Sequence, residues 1–172
     1  MAKKKGKIQH DFIYSPLIVS VDPGKIAAYC IFREGKSSLG FGLIHCNQTE
    51  MIYSFLRKVG EGCDRPLLVT EDQFHLKSIN STKVLVERRM RWVVCAELLG
   101  WDVRIVHPAS WQSQMFRGIA GETTKDKSIK LFKSEVGTEP QSHDIADAFA
   151  MGKFWLNGAK MKLEQEGRKS NV

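Results

Sequence analysis

Residues 17–24 read Leu-Ile-Val-Ser-Val-Asp-Pro-Gly, an apolar and largely β-branched run that ends in a carboxylate and a turn. Such a run predicts a short strand that is buried on both faces of a sheet. Pro23 and Gly24 would then end the strand and turn the chain. Asp22 therefore lies at the carboxyl end of a central strand, where a charge beside the core is costly unless a partner or a metal takes it up.

The same design occurs again at residues 66–71, Pro-Leu-Leu-Val-Thr-Glu, a second short apolar run that closes on a carboxylate. A helix is predicted between the two runs, over Gln48–Val59. A strand that follows such a helix commonly lies parallel to the earlier strand and beside it. We therefore expect Asp22 and Glu71 to meet at one edge of the sheet.

The rest of the chain supplies the other strands and the helices of this sheet. Alternating and apolar patterns predict a meander before the first helix, and one strand and four helices after Glu71. The predicted strands are Lys25–Phe32, Ser38–His45 and Asp102–Val106, and the helices are Thr82–Leu99 (capped by Ser81), Pro108–Phe116, Thr123–Val136 and Ser142–Leu156. The sequence thus predicts an α/β fold with a five-stranded mixed sheet, an antiparallel meander plus parallel strands, flanked by helices.

The 172 residues are divided into a basic disordered arm at 1–12, one domain at 13–157 and a polar, frayed tail at 158–172. No apolar run approaches the roughly 20 residues of a membrane helix. The four cysteines have no paired spacing. We expect an intracellular, cytoplasmic protein without a membrane partner.

The net charge of +7 favours a polyanionic partner, with nucleic acid ahead of an anionic membrane surface. The arm contributes Lys3, Lys4, Lys5 and Lys7. Two interpretations of the arm remain open, a solubilising tail and a contact with a phosphate backbone.

Asp144 and Asp147 are three positions apart near the start of the last predicted helix, so they share one of its faces. Acids also occur at helix starts because the helix dipole stabilises them, and that alternative stays open for the pair. Combined with Asp22 and Glu71, they form an oxygen-rich set that suits Mg²⁺ or Mn²⁺. His143 would be a further ligand or a proton carrier, although a solvent-exposed histidine is the simpler interpretation.

Four stretches in this order point to a known family. They are Asp22-Pro23-Gly24, Glu71-Asp72-Gln73-Phe74, Gly118-Ile119-Ala120-Gly121 with Lys125 and Lys127, and residues 144–150, Asp-Ile-Ala-Asp-Ala-Phe-Ala. Over residues 17–156 the chain resembles the RuvC-type Holliday junction resolvases of the ribonuclease H-like superfamily.

The resemblance implies a structure-specific endonuclease that resolves four-way and other branched DNA junctions by metal-dependent phosphodiester hydrolysis with paired nicks. It implies two Mg²⁺ or Mn²⁺ ions per active site, held by the four acids. Lys125 or Lys127 would lie near the scissile phosphate. The acids and these two lysines form the expected catalytic set: Asp22, Glu71, Asp144, Asp147, Lys125 and Lys127.

The resemblance also implies how the DNA and a second subunit are bound. Phe74 would stack on bases at the junction, unless it only anchors its loop. Arg88, Arg89 and Arg117, with the two lysines, would bind nucleic acid. The helix over 82–99 carries two apolar stripes. One can cover the sheet, and the second needs either more of this chain or a second subunit, which fits the homodimer that the family forms through this helix. The stripes are Val86, Met90, Val93 and Val94, and Leu85, Trp92, Ala96 and Leu99.

Two features depart from the family. Residues 111–117 contain Arg117 as their only basic residue, where the family usually has a lysine, and a lysine-rich arm precedes the first strand. Both features resemble viral or divergent members, which would act in a host cytoplasm. Two alternative functions stay open, an RNA-processing nuclease of the same fold and a non-catalytic protein that binds branched DNA.

Overall fold

The computed structural model describes residues 12–34, 40–45, 48–72 and 79–169. Within these segments, ten elements follow one another along the chain. They are β1 (Leu17–Asp22), β2 (Ile26–Arg33), β3 (Gly40–His45), α1 (Thr49–Gly60), β4 (Leu67–Glu71), α2 (Ile79–Leu98), β5 (Asp102–Val106), α3 (Pro108–Met115), α4 (Thr124–Val136) and α5 (His143–Lys169).

The strands form one sheet in the order β3-β2-β1-β4-β5. Strand β2 is antiparallel to both β1 and β3, whereas β4 is parallel to both β1 and β5. The predicted five-stranded mixed sheet is therefore confirmed, and with it the prediction that the second apolar run lies parallel to the first and beside it. This pairing brings the carboxyl ends of β1 and β4 to the same edge.

Side chains alternate along β1 and β4, and the alternation separates two hydrophobic layers. Ile18 on β1, with Leu67 and Val69 on β4, packs in the layer that contains the buried face of α5. Val19 and Leu68 pack in the opposite layer, with α1 and α2. Because the period is two residues, the side chains of the terminal Asp22 and Glu71 point to the α5 side of the sheet.

The first turns of helix α5 are hydrogen-bonded to strands β1 and β2 of the sheet. The Ser20 hydroxyl donates to the carbonyl oxygen of Ala148 at 2.7 Å, and the Cys30 thiol donates to that of Ile145 at 3.5 Å. Gly152 permits this approach, because a Cβ atom there would lie 2.3 Å from a ring carbon of Phe32. The first turns of α5 are thus held beside the carboxyl ends of β1 and β4.

The close approach at Gly152 makes a stability prediction. We expect Gly152→Ala to lower the free energy of unfolding by about 1–3 kcal/mol, because the added methyl group overpacks the contact between α5 and β2. Alanine is otherwise favoured over glycine inside a helix, so a gain in stability would contradict the packing. Denaturant unfolding measures the change. Asn157→Ala, at an exposed position of the same helix, is the control and should change stability by less than about 0.5 kcal/mol.

Two predicted helix boundaries are wrong. Helix α2 begins at Ile79, so Ser81 lies inside it and is not its N-cap. No proline or glycine occurs between residues 79 and 98 to prevent the earlier start. Helix α5 continues to Lys169 and does not end near Leu156, so residues 158–169 are helical where a frayed tail was expected. The segment before β1 packs on this extension, since a Cβ atom at Gly158 would lie 2.2 Å from a ring carbon of Phe12.

None of the helices in the described ranges is long and apolar enough to span a membrane. Residues 1–11 of the predicted arm and Phe74 lie outside the described residues, so their predicted roles stay predictions.

Candidate functional site

Three elements bring the four predicted acids to the same edge of the sheet. Asp22 is the last residue of β1, Glu71 is the last residue of β4, and Asp144 and Asp147 lie in the first turns of α5. All four are partly buried. The fold therefore gathers acids that are up to 125 positions apart in the sequence, counted from Asp22 to Asp147.

The pKa of Asp22 shows that these carboxylates are electrostatic neighbours. Burial raises this pKa most, and the negative charges of Glu71, Asp144 and Asp147 raise it further. The Lys125 ammonium lowers it, and the net result is a rise from 3.8 to about 8. Like charges crowded at a partly buried edge disfavour full ionisation, and the Lys125 ammonium compensates them only in part.

Side-chain hydrogen bonds orient two of the acids. The Trp111 indole nitrogen donates to Glu71 Oε1 at 2.9 Å. Burial raises the pKa of Glu71 to about 7, and the Trp111 bond works against that rise. Burial likewise raises the pKa of Asp147, while a hydrogen bond with Ser128 and the neighbouring His143 lower it. Both partners favour the ionised carboxylate, which is the form that binds a cation.

Helix α4 adds a positive charge to the mouth of this site. Lys125 Nζ lies 2.9 Å from His143 Nε2, and the same ring nitrogen lies 2.9 Å from Asp144 Oδ1. The sequence left Lys125 and Lys127 as equal candidates. Lys125 is the one that contacts His143 and acts on the charges of Asp22 and Asp147, whereas the Lys127 side chain lies against Gly121.

The three predicted arginines are placed differently. Arg117 is exposed just after α3, and Arg88 is partly buried on α2. Arg89 Nη1 donates to Asp72 Oδ1 at 2.5 Å, and its side chain is only 11% exposed. This pair joins α2 to the residue after Glu71, which favours a structural role for Arg89. Contacts of all three with nucleic acid stay predictions.

Sequence reasoning missed Trp111 and Ser128 as supports of the acids. Trp111 is buried 40 positions after Glu71, and Ser128 is buried inside α4. Each looks like an ordinary core or helix residue in the sequence. The polar atoms of a buried tryptophan and a buried serine need partners, which was the one available signal, but it does not say which partner.

The donor set suits a hard divalent cation in its chemistry. All four side chains offer carboxylate oxygens, and burial, followed by the charges of the neighbouring carboxylates, raises the pKa of three of them. Among the residues that the structure describes, no three His, Cys, Asp or Glu side chains already converge as a finished metal site would. The residues therefore fit such an ion by ligand type, charge and shared edge.

Comparison of the whole fold with solved structures finds similar folds among Holliday junction resolvases. Thermus thermophilus RuvC in complex with a Holliday junction substrate aligns with a TM-score of 0.64 and 16% identity, over 82% of this chain and 94% of that chain. The chain has a RuvC-type resolvase fold. A second Thermus thermophilus RuvC structure aligns over 85% of this chain and 96% of that one, with a TM-score of 0.60 and 18% identity.

The RuvC-type fold also occurs in the yeast mitochondrial Holliday junction resolvase, which aligns over 94% of this chain and 87% of its own, with a TM-score of 0.63 and 14% identity. No protein-family model matches the sequence, and no curated protein matches it significantly. The similarity is thus one of structure, and it confirms the resemblance that the sequence motifs indicated.

Proposed function

We propose that this protein is a structure-specific endonuclease that cuts branched DNA, four-way junctions above all, by metal-dependent phosphodiester hydrolysis. The observation that carries the proposal is the meeting of Asp22 and Glu71, at the ends of two adjacent parallel strands, with Asp144 and Asp147 on α5. The chain's net charge of +7 supports a polyanionic substrate.

The four acids would hold two Mg²⁺ or Mn²⁺ ions. Such a pair of ions supplies an activated water and stabilises the leaving oxygen of a phosphodiester. Other side chains of the protein orient these ligands, because Trp111 donates a hydrogen bond to one oxygen of Glu71 and Ser128 bonds to Asp147. The Lys125 ammonium lies beside the acids, where it would attract the scissile phosphate and offset the charge that repels it.

The exposed face of α2 supports a symmetric dimer. Met90, Val94 and Leu98 follow one another at intervals of four residues, with exposed fractions of 40, 44 and 72%. The opposite face packs on α1 and the sheet, where Trp92 and Ala96 are fully buried; Val93, predicted in the first stripe, is buried as well. A two-fold dimer through α2 would bury the exposed stripe and give two active sites, as paired nicks in a four-way junction require.

The dimer makes its own prediction. We expect Met90→Glu with Val94→Glu to weaken self-association by at least about a hundredfold, because two charges would enter an apolar interface. Analytical ultracentrifugation across micromolar concentrations measures the change. Met161→Glu with Leu163→Glu, at comparably exposed apolar positions on α5, is the matched control and should leave association unchanged. A wild-type protein that stays monomeric would contradict the dimer.

The nuclease proposal is tested with an end-labelled synthetic four-way junction, a linear duplex of the same sequence and a structured RNA. Each is incubated with Mg²⁺, with Mn²⁺ and with chelator. We expect paired, metal-dependent nicks in the junction alone. Cleavage of the RNA alone would show that the substrate is RNA and not branched DNA. Tight binding of the junction without nicks would show that the protein binds branched DNA but is not an enzyme.

A further inference from the structure

Arg89 is a buried arginine that has no part so far in the proposed reaction. It lies on α2 with its side chain only 11% exposed, and its Nη1 atom donates to Asp72 Oδ1 at 2.5 Å. A guanidinium enclosed in this way has little surface left for a phosphate backbone. Its partner, however, is the residue that directly follows Glu71, one of the four acids.

The end of β4 is held from β5 and from both faces of the sheet. The Asp72 amide donates to the carbonyl oxygen of Val106 at 2.8 Å, so the backbone stays paired one residue beyond Glu71. Successive side chains of an extended strand point to opposite faces of a sheet. Glu71 therefore points to the α5 side, where Trp111 donates a hydrogen bond to it. Asp72 points to the α2 side, where Arg89 donates a hydrogen bond to it.

Other buried polar groups accompany this pair in an otherwise apolar layer. Arg89 Nε, the Thr70 hydroxyl and the Trp92 indole nitrogen are buried without a hydrogen-bond partner in the described part of the chain. Polar groups of this kind cost free energy in a core. A buried ion pair is also weak evidence of stability, because apolar residues of similar volume often stabilise as well. The planar guanidinium does, however, hold a carboxylate in a defined orientation.

We propose that Arg89 is a positioning residue, which holds Asp72 and through it sets where the Glu71 carboxylate lies among the other acids. Asp144 and Asp147 are placed separately, because the start of α5 is hydrogen-bonded to β1 and β2. A shift at the end of β4 would therefore change the spacing between the ligands, and Mg²⁺ requires nearly ideal octahedral geometry. The contact stands on the geometry alone, whereas its effect on a cation and on cleavage rests on the proposed function.

The indole N–H signal of Trp111 tests this connection without cation or substrate. ¹H–¹⁵N spectra of the metal-free protein contain one indole signal for each of the four tryptophans, and Trp111→Phe identifies its own. We expect Arg89→Met, which removes the guanidinium, to shift the signals of both Trp92 and Trp111. Trp92 is one helical turn from Arg89, whereas Trp111 packs on the opposite face of the sheet and responds through Glu71. A shift of the Trp92 signal alone would overturn the proposal.

The affinity for Mn²⁺, measured by titration calorimetry, separates positioning from a simple effect of charge. Loss of the positive charge of Arg89 would by itself tighten the binding of a cation to the acids. Loss of position would weaken the binding by about tenfold, the lower end of the range for residues that support metal ligands indirectly. We expect the weaker binding in Arg89→Met. Unchanged or tighter binding by the folded variant would overturn the proposal.

Two further variants serve as a control and as a safeguard against misfolding. Arg65 Nη2 donates to Asp102 Oδ2 at 3.1 Å near the other end of β4, so Arg65→Met removes an Arg–Asp pair far from the acids. It should change neither the Trp111 signal nor the Mn²⁺ affinity. Arg89→Met with Asp72→Leu removes both partners and leaves no buried charge unpaired. We expect this charge-neutral double variant to show the same shift and the same weaker binding, and wild-type behaviour would overturn the proposal.

Failure of the nuclease function can be told apart from failure of the positioning role. A wild type that binds no Mn²⁺ and cuts no junction would overturn the nuclease function. The Trp111 signal would then still decide whether Arg89 positions Glu71, because that measurement needs neither cation nor substrate. If the wild type does cut the junction, we expect Arg89→Met to slow single-turnover cleavage at limiting Mn²⁺ by about the factor that it loses in affinity.

Discussion

Asp22→Asn is expected to reduce the rate of junction cleavage at least about a thousandfold, a loss of roughly 4 kcal/mol of transition-state stabilisation. The charges of all three other acids act on Asp22, so its carboxylate lies close to each of them. The amide keeps the size of the side chain but loses the negative charge that would hold a cation. Single-turnover cleavage in Mg²⁺ measures the effect.

The affinity of Asp22→Asn for the junction, measured in chelator, should stay within a few-fold of the wild type, because the substituted group removes charge that repels phosphate. Asp64→Asn, in the exposed loop before β4, is the matched control and should cut at the wild-type rate. If Asp22→Asn still cuts the junction, the four acids are not the catalytic site.

The second large effect concerns stability without metal. The folded-state pKa of Asp22, about 8, lies above its ordinary value of 3.8, so the folded protein binds this proton more tightly than the unfolded chain does. Raising the pH from about 4 to about 8 therefore destabilises the metal-free protein. We expect Asp22→Asn to be more stable than the wild type by about 2–4 kcal/mol at pH 8, and by clearly less at pH 5.

Denaturant unfolding in chelator at both pH values measures this difference. Divalent cations should reverse it, because an ion that binds only the folded state stabilises it, by about 2.7 kcal/mol at a hundredfold excess over its dissociation constant. We expect Mg²⁺ or Mn²⁺ to raise the unfolding midpoint of the wild type much more than that of Asp22→Asn. An equal rise in both proteins would mean that the ions bind elsewhere.

The sheet could be predicted from the sequence because its signals are local. The runs before Asp22 and Glu71 are short, apolar and closed by a charge, and a strand that follows a helix commonly lies parallel to the earlier strand. The convergence of the acids follows from that topology and from the spacing of Asp144 and Asp147. The end of α5 depended on a distant contact, the packing of Phe12 against Gly158, which no local pattern reveals.

The supports of the acids could not be predicted for the same reason. Trp111 meets Glu71 only because α3 packs on α5 near the end of β4, and His143 meets Lys125 only because α4 packs on α5. The sequence offered His143 as a ligand, a proton carrier or a solvent-exposed residue. It could not show that the ring lies beside Lys125, because that residue is 18 positions away on another helix.

The bonds from Ser20 and Cys30 to the start of α5 also determine how the site can move. Helix ends are usually the parts of a helix that open first, at little free-energy cost. Here the first turns are tied through their carbonyl groups to two central strands, so that fraying them also requires breaking bonds to the sheet. The acids of α5 therefore belong to the same cooperative unit as the acids of β1 and β4. Local unfolding that separates the four acids should cost nearly as much free energy as unfolding the sheet itself.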